Sequence, residues 1–195
     1  VNTMAISLSE ADFGAFFDPH GGRDDLEAGL LRVMHARSFA DDPTRVLRAL
    51  RFSLRFDYSI EPETRGSMND AITGGYLDTV SGDRVRRELT LIFTEAPVRG
   101  AVRLETEGAL AAVHPGLRAD QSRLRDLEEL LAWYRDAVGA KSKLDGPAGW
   151  VMVLGCCAAQ LSPQERWQVA RHLRLSRADR APLIDAGAPW RKAIA

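Results

Sequence analysis

The chain of 195 residues is 45% hydrophobic and 27% charged, enough apolar material to bury a core in one domain or two small ones and too much for a disordered chain. Its formal net charge of -1 excludes a uniformly basic nucleic-acid coat but leaves local basic faces open. The two cysteines, Cys156 and Cys157, are adjacent in an apolar run, which is neither a disulfide framework nor a metal-ligand spacing and suits a reducing, cytoplasmic setting.

Of the 26 basic residues only Lys141, Lys143 and Lys192 are lysines, so a single arginine says little and spacing must carry the functional reading. There is no apolar run of about 18 residues and no basic-then-apolar leader, so neither a membrane span nor a signal peptide is expected. The chain opens at Val1 inside an apolar alternation, which reads as a piece of something longer.

In chain order, "VNTMAISLS" and "GAFFDPHGG" predict a small strand pair ending in a turn. "DDLEAGLLRVMHA" predicts a short helical turn, a break at Gly29 and one more strand. From Phe39 the periodicity becomes helical. Asp42 before Pro43 is a helix start, because the carboxylate can accept orphan backbone N–H groups and proline has none to lose; that helix should reach about Phe56. "EPETRGSMNDAI" predicts a helix opened by Glu61 and Pro62 and closed at Gly74-Gly75. In "SGDRVRRELTLIF", Val85, Leu89, Ile92 and Phe93 share one face behind a Ser81 cap. Pro97 opens the next helix, which ends at Gly108. A long amphipathic segment runs from Asp120 to about Val138, then a loop over 139–149. "WVMVLGCCAAQ" reads as buried, and "SPQE" at 162–165 and "SRAD" at 176–179 as capping boxes. The fold class expected is mainly α, with a short β remnant at the N-terminus.

The stretch "FADDPTRVLRALRF" carries the functional signal. On a helix, Arg45, Arg48, Arg51 and Arg55 fall within an arc of about 120°, while Val46, Leu47, Leu50 and Leu54 face the other way. A carboxylate at Asp42, one turn before Arg45, could accept from the exocyclic amine of cytosine or adenine while a guanidinium donates to the neighbouring ring nitrogen. Uracil and guanine place a carbonyl there instead. Arg48 and Arg51 could neutralise a triphosphate. Spacing alone leaves open a plain helix cap beside a solvated arginine face.

The order of "VNTMA", "DPHGGRDDLEAG", "LLRVMHARSFADDPTRVLRALRF", "IEPET" and "SGDRVRRELTLIF" resembles the class II tRNA nucleotidyltransferases, the CCA-adding family and its bacterial poly(A) polymerase relatives, over roughly residues 1 to 115. The resemblance implies the end of a nucleotidyltransferase head at 1–38, a nucleotide-selecting helical neck at 39–96 and a helical body at 97–195 that contacts tRNA, with an α+β fold for the whole protein. It implies that Asp42 and Arg45 read the base edge, that Arg48 and Arg51 also bind nucleotide, and that Asn2 lies near the incoming sugar. Asp41 stands where the family usually has Glu. "DRVRREL" resembles the helix that braces the site, so Arg84, Arg86 and Glu88 are read as structural.

The family's magnesium-binding carboxylates and a catalytic arginine are expected upstream of this chain, which would hold no catalytic or metal-binding residue and would be inactive alone. The reaction implied is attack of a tRNA 3′-hydroxyl on the α-phosphate of CTP or ATP, releasing pyrophosphate with two Mg2+ ions. A poly(A) polymerase and a non-catalytic helical RNA-binding or interaction module are the alternatives. His20 is read as a turn or packing residue, and His35, His114 and His172 as satisfied surface or core residues. Trp133, Tyr134, Trp150 and Trp167 are expected in the core. Arg171, Arg174, Arg177 and Arg180, at every third position, read as a solvated face or as phosphate contacts.

Overall fold

A computed structural model describes residues 3–138 and 147–184; Asn2, the lysines Lys141, Lys143 and Lys192, and residues 139–146 of the expected loop lie outside them. The N-terminal strand segment is small. Strand β1 (Ala5–Ile6) pairs antiparallel with β2 (Phe16–Phe17). The Asp18 carboxylate then accepts from the backbone N–H groups of Gly22 at 2.7 Å and Arg23 at 2.8 Å, which starts α1 (Gly22–Glu27). Gly29 turns with a φ of 62°, and β3 (Leu30–Leu31) pairs in parallel with β4 (Ser59–Ile60), so the segment is stitched to the helices that follow.

Between those two strands lie α2 (Ser38–Asp41) and α3 (Thr44–Phe56). Asp42 starts α3 as the sequence predicts: it takes the extended conformation usual for a capping residue, φ -148° and ψ 94°, its carboxylate accepts from the Thr44 N–H at 3.2 Å, and it separates α3 from the short α2, which the sequence does not predict. Proline disfavours helical geometry in the residue before it, which is why the break falls there. Val46, Leu47 and Leu50 are fully buried, each such side chain being worth about 1.5–3 kcal/mol relative to exposure.

Next come α4 (Pro62–Thr73), a 3-10 turn at Tyr76–Thr79, α5 (Gly82–Glu95), α6 (Pro97–Thr106) and α7 (Ala109–Val113). Glu61 caps α4 by accepting from the Thr64 backbone N–H at 2.8 Å. Ser81 precedes α5 as expected, but its hydroxyl makes no capping bond. The C-terminal part holds α8 (Gln121–Val138), α9 (Pro147–Cys157), α10 (Pro163–His172) and α11 (Arg177–Ile184). Helix α9 thus begins at Pro147, inside the segment read as a loop.

One continuous core runs from Phe39 through the buried faces of α3, α5, α6 and α9 to Leu183. The first capping box forms completely, Ser162 and Glu165 satisfying each other's backbone N–H groups; in the second, Ser176 accepts from the Asp179 N–H at 3.1 Å and donates its hydroxyl to the Asp179 carboxylate at 2.7 Å. Trp150 is buried as expected. Trp167 is not: it is 47% exposed, because its position on α10 faces away from the core that takes Val169 and Ala170. The side chains of Trp133 and Tyr134 fall outside the described set. Among the described residues, no helix is long and apolar enough to cross a membrane.

Candidate nucleotide-binding cleft

Helix α3 forms one wall of a cleft of about 430 Å3 whose other walls come from the segment after β3 and from α2. Asp42, Arg45 and Arg48 line it, with Phe39, Ala49 and Phe52 beneath and Arg32 and His35 at the opposite rim. Three of the residues singled out by spacing are therefore brought together. Arg51 is not among the lining residues.

The Asp42 carboxylate is held from three directions. Its Oδ1 accepts from the Thr44 backbone N–H at 3.2 Å and the Thr44 hydroxyl at 2.6 Å, while Arg84 Nη2 donates to Oδ1 at 2.8 Å and to Oδ2 at 2.9 Å. Partial burial by itself would raise this carboxyl, but the Thr44 hydrogen bonds and the Arg84 charge together lower its pKa below the ordinary carboxylate value. The group therefore stays an acceptor. A carboxylate has about four lone-pair sites, and Oδ2, engaged by Arg84 alone among the described residues, keeps capacity for a further donor.

Arg45 donates to the Ser38 carbonyl at 3.3 Å, which orients it along the cleft without neutralising it. Arg48 has no hydrogen bond or ion pair among the described residues; its guanidinium carbon lies 6.0 Å from the Phe52 ring centroid. Arg51 behaves differently. It donates to Glu88 of α5 at 3.0 Å, with the two side chains only 13% and 10% exposed, and Glu95 lies 3.9 Å from its Nε. It clamps α3 to α5 behind the cleft. Glu88 and Arg84 tie α5 to α3 and to Asp42, while Arg86 donates to the Arg174 carbonyl beyond α10.

Several participants were not singled out in advance. Thr44 and Arg32 are the clearest. Arg32 is fixed by Asp25 at 3.0 Å, with Glu61 at 3.6 Å. Thr3 also lines the cleft, and its buried hydroxyl has no hydrogen-bond partner among the described residues. The "T" after "DDP" was a possible signal for Thr44, since a Thr two residues after an Asp can hydrogen-bond its carboxylate. His35 stands 4.0 Å from Asp41, and the His114 ring accepts from the Gly116 N–H at 3.2 Å. Among the described residues no group of three or more His, Cys, Asp or Glu is placed to hold a metal ion. Burial pushes the Cys156 thiol up to about 11 and raises Cys157 as well, so neither offers a thiolate nucleophile.

A carboxylate fixed in its ionised form beside two guanidiniums that have no acidic partner among the described residues can pair with an amine-bearing heterocycle and neutralise a phosphate chain. Residues 57–121 match the family described as "Probable RNA and SrmB- binding site of polymerase A", and the chain as a whole is similar to a part, less than half, of the length of tRNA nucleotidyltransferases and CCA-adding enzymes. More particularly, it is 33% identical over 189 residues to an A-adding tRNA nucleotidyltransferase of Geobacter sulfurreducens, covering 95% of this chain and 21% of that protein. It superposes on the Thermotoga maritima CCA-adding enzyme complexed with tRNA with a TM-score of 0.82 at 29% identity, covering 98% of this chain and 46% of the other. With a CCA-adding enzyme in complex with CTP the TM-score is 0.83 at 29% identity, covering 98% and 45%.

Proposed function

We propose that this chain is the nucleotide-selecting neck, with the end of the head and part of the body, of an RNA nucleotidyltransferase that adds C or A to tRNA 3′ ends from CTP or ATP and releases pyrophosphate. The observation that carries this reading is the Asp42 carboxylate, kept ionised by Thr44 and Arg84 at the rim of a cleft that it shares with Arg45 and Arg48.

In this reading Asp42 Oδ2 accepts from the exocyclic amine of cytosine or adenine, and Arg45 donates to the adjacent ring nitrogen. Guanine and uracil would set a carbonyl oxygen against the carboxylate, so selection needs no template strand. Arg48 takes the phosphate chain, and holding the nucleotide in one orientation is itself a large part of catalysis. Arg51 serves from behind as the clamp between α3 and α5 rather than by touching nucleotide. Asn2 remains the sugar contact implied by the resemblance. Magnesium finds no ligand set among the described residues, so no step is assigned to it on this chain. The cytoplasm is the compartment this reading expects.

The test is competitive binding of CTP, ATP, GTP and UTP to the protein carrying this segment. Arg45→Ala is expected to cut the preference for C and A over G and U about tenfold, whereas Arg48→Ala should weaken all four alike. An unchanged preference in the Arg45 variant would sink the assignment. The description of the family matched at 57–121 names polymerase A, which favours a second reading, A-tract synthesis. Long A tracts on an unrelated RNA, in place of one or a few nucleotides on tRNA alone, would select it.

A further inference from the structure

The cleft uses α3 and one side of α5, and leaves a basic, aromatic surface on α10 and the turn into α11 unexplained. Residues 163–180 hold five arginines against two carboxylates, in a chain whose net charge is -1. Both carboxylates are occupied by caps, Glu165 with the Ser162 hydroxyl at 2.7 Å and Asp179 with the Ser176 hydroxyl at 2.7 Å. Arg166 is buried against backbone carbonyls. Arg171, Arg174 and Arg177 are exposed, and among the described residues Arg171 and Arg177 have no acidic partner.

Trp167 lies in the middle of this surface, 47% exposed, with the Arg171 guanidinium 5.9 Å from its ring centroid. Its exposed neighbours on α10 are Gln164, Gln168 and Arg171. Trp and Arg are common to protein hot spots and nucleic-acid sites, but here one exposed indole stands among guanidiniums and carboxamides whose nearby carboxylates are already taken by caps, and that surplus of positive charge suits a platform for an unpaired base flanked by phosphates.

The surface is also continuous with the cleft. The last turn of α10 presses on the first turn of α5: a Cβ added at Gly82 would lie 1.7 Å from the His172 carbonyl oxygen. Arg86 donates to the Arg174 carbonyl, and Arg174 pairs with Asp83 at 3.0 Å. The next residue, Arg84, reaches Asp42 at 2.8 Å. A single turn of α5 therefore joins the rim of the cleft to the basic surface.

We propose that Trp167, Arg171 and Arg174 form a docking surface for the RNA acceptor, with Trp167 stacking on an unpaired base and the arginines contacting neighbouring phosphates. This rests on the nucleotidyltransferase reading for the identity of the acceptor, but not on which residues read the nucleotide. The test is fluorescence anisotropy of a labelled tRNA with a single-stranded 3′ end, titrated with wild type, Trp167→Ala, Trp167→Phe and Arg171→Gln, alongside CTP and ATP affinities. Trp167→Ala is expected to weaken RNA binding about fivefold or more, and Trp167→Phe to retain most of it. Arg171→Gln should lower the slope of log affinity against log salt by about 0.7–0.9. Nucleotide affinities should not move. RNA binding unchanged in all three variants overturns the proposal and leaves the surface to a protein partner. A wild type that binds GTP and UTP as tightly as CTP and ATP, with a variant-sensitive RNA surface, would instead overturn the cleft assignment alone.

Discussion

At the scale of single residues, Asp42 concentrates the chemistry. Its carboxyl is pulled below the ordinary range although burial pushes the other way, because Thr44 donates twice and Arg84 adds a positive charge. Replacing Arg84 with Gln removes the charge and keeps bulk, so the Asp42 pKa should rise. The carboxylate would then begin to protonate at a higher pH and lose the acceptor role proposed for it. CTP affinity measured from pH 7 down to 4 is expected to fall at a higher pH in Arg84→Gln than in wild type; superimposable profiles would show that Arg84 does not hold this group. The Asp42 and Arg45 pair was legible because a helix start and an i, i+3 spacing are local. Arg84 was legible only as part of a bracing helix, since a partner 42 positions away leaves no trace in a single sequence. Arg51, about 120° round the helix from Arg45, pairs with Glu88 of α5 instead of lining the cleft, a partner 37 positions away that spacing along one helix does not show.

At the scale of elements, two serines before helices separate the sequence rule from the structure. Ser162 and Glu165 form a complete capping box, whereas Ser81 makes no side-chain cap. Ser162→Ala should therefore cost about 1 kcal/mol and Ser81→Ala close to nothing, read from urea unfolding midpoints; equal costs would mean that the box contributes no more than the backbone geometry. At Gly82 the decisive force is steric. Alanine is the better helix former by about 1 kcal/mol, but a Cβ there would overlap the His172 carbonyl at 1.7 Å. That contact lets α5 and α10 approach, and no pattern around "SGDR" announces it. Helix identities were legible from caps and apolar periodicity, and boundaries less so: α9 starts at Pro147, where Gly, Lys and Pro suggested a loop. Trp167 was misjudged because an aromatic residue next to apolar ones reads as core, while the face it occupies depends on how α10 docks.

At the scale of the whole molecule, one core joins α3 to α11, so the described helices should unfold together, and acid should be an efficient way to unfold them. Four carboxylates spread from the N-terminal turn to α10 are lowered by hydrogen bonds that exist only in the folded chain. Asp18 accepts from the N–H groups of Arg23 and Gly22, Glu61 from Thr64, Asp120 from the hydroxyl and N–H of Ser122, and Glu165 from Ser162; Asp42 adds a fifth. A group whose pKa is lower folded than unfolded binds more protons when unfolded. Its stabilisation is fully present above the unfolded value, about 4 for Asp and Glu, and disappears as pH falls through the folded value. The melting temperature is therefore expected to be insensitive to these groups from pH 7 to about 5 and to fall steeply below about 4. Asp18→Asn and Glu165→Gln should each lower it at pH 7 and make the acid limb shallower, because each removes one group that gains protons on unfolding. A melting temperature that holds down to pH 3, or acid limbs in both variants as steep as wild type, would show that these caps are too exposed to couple to folding.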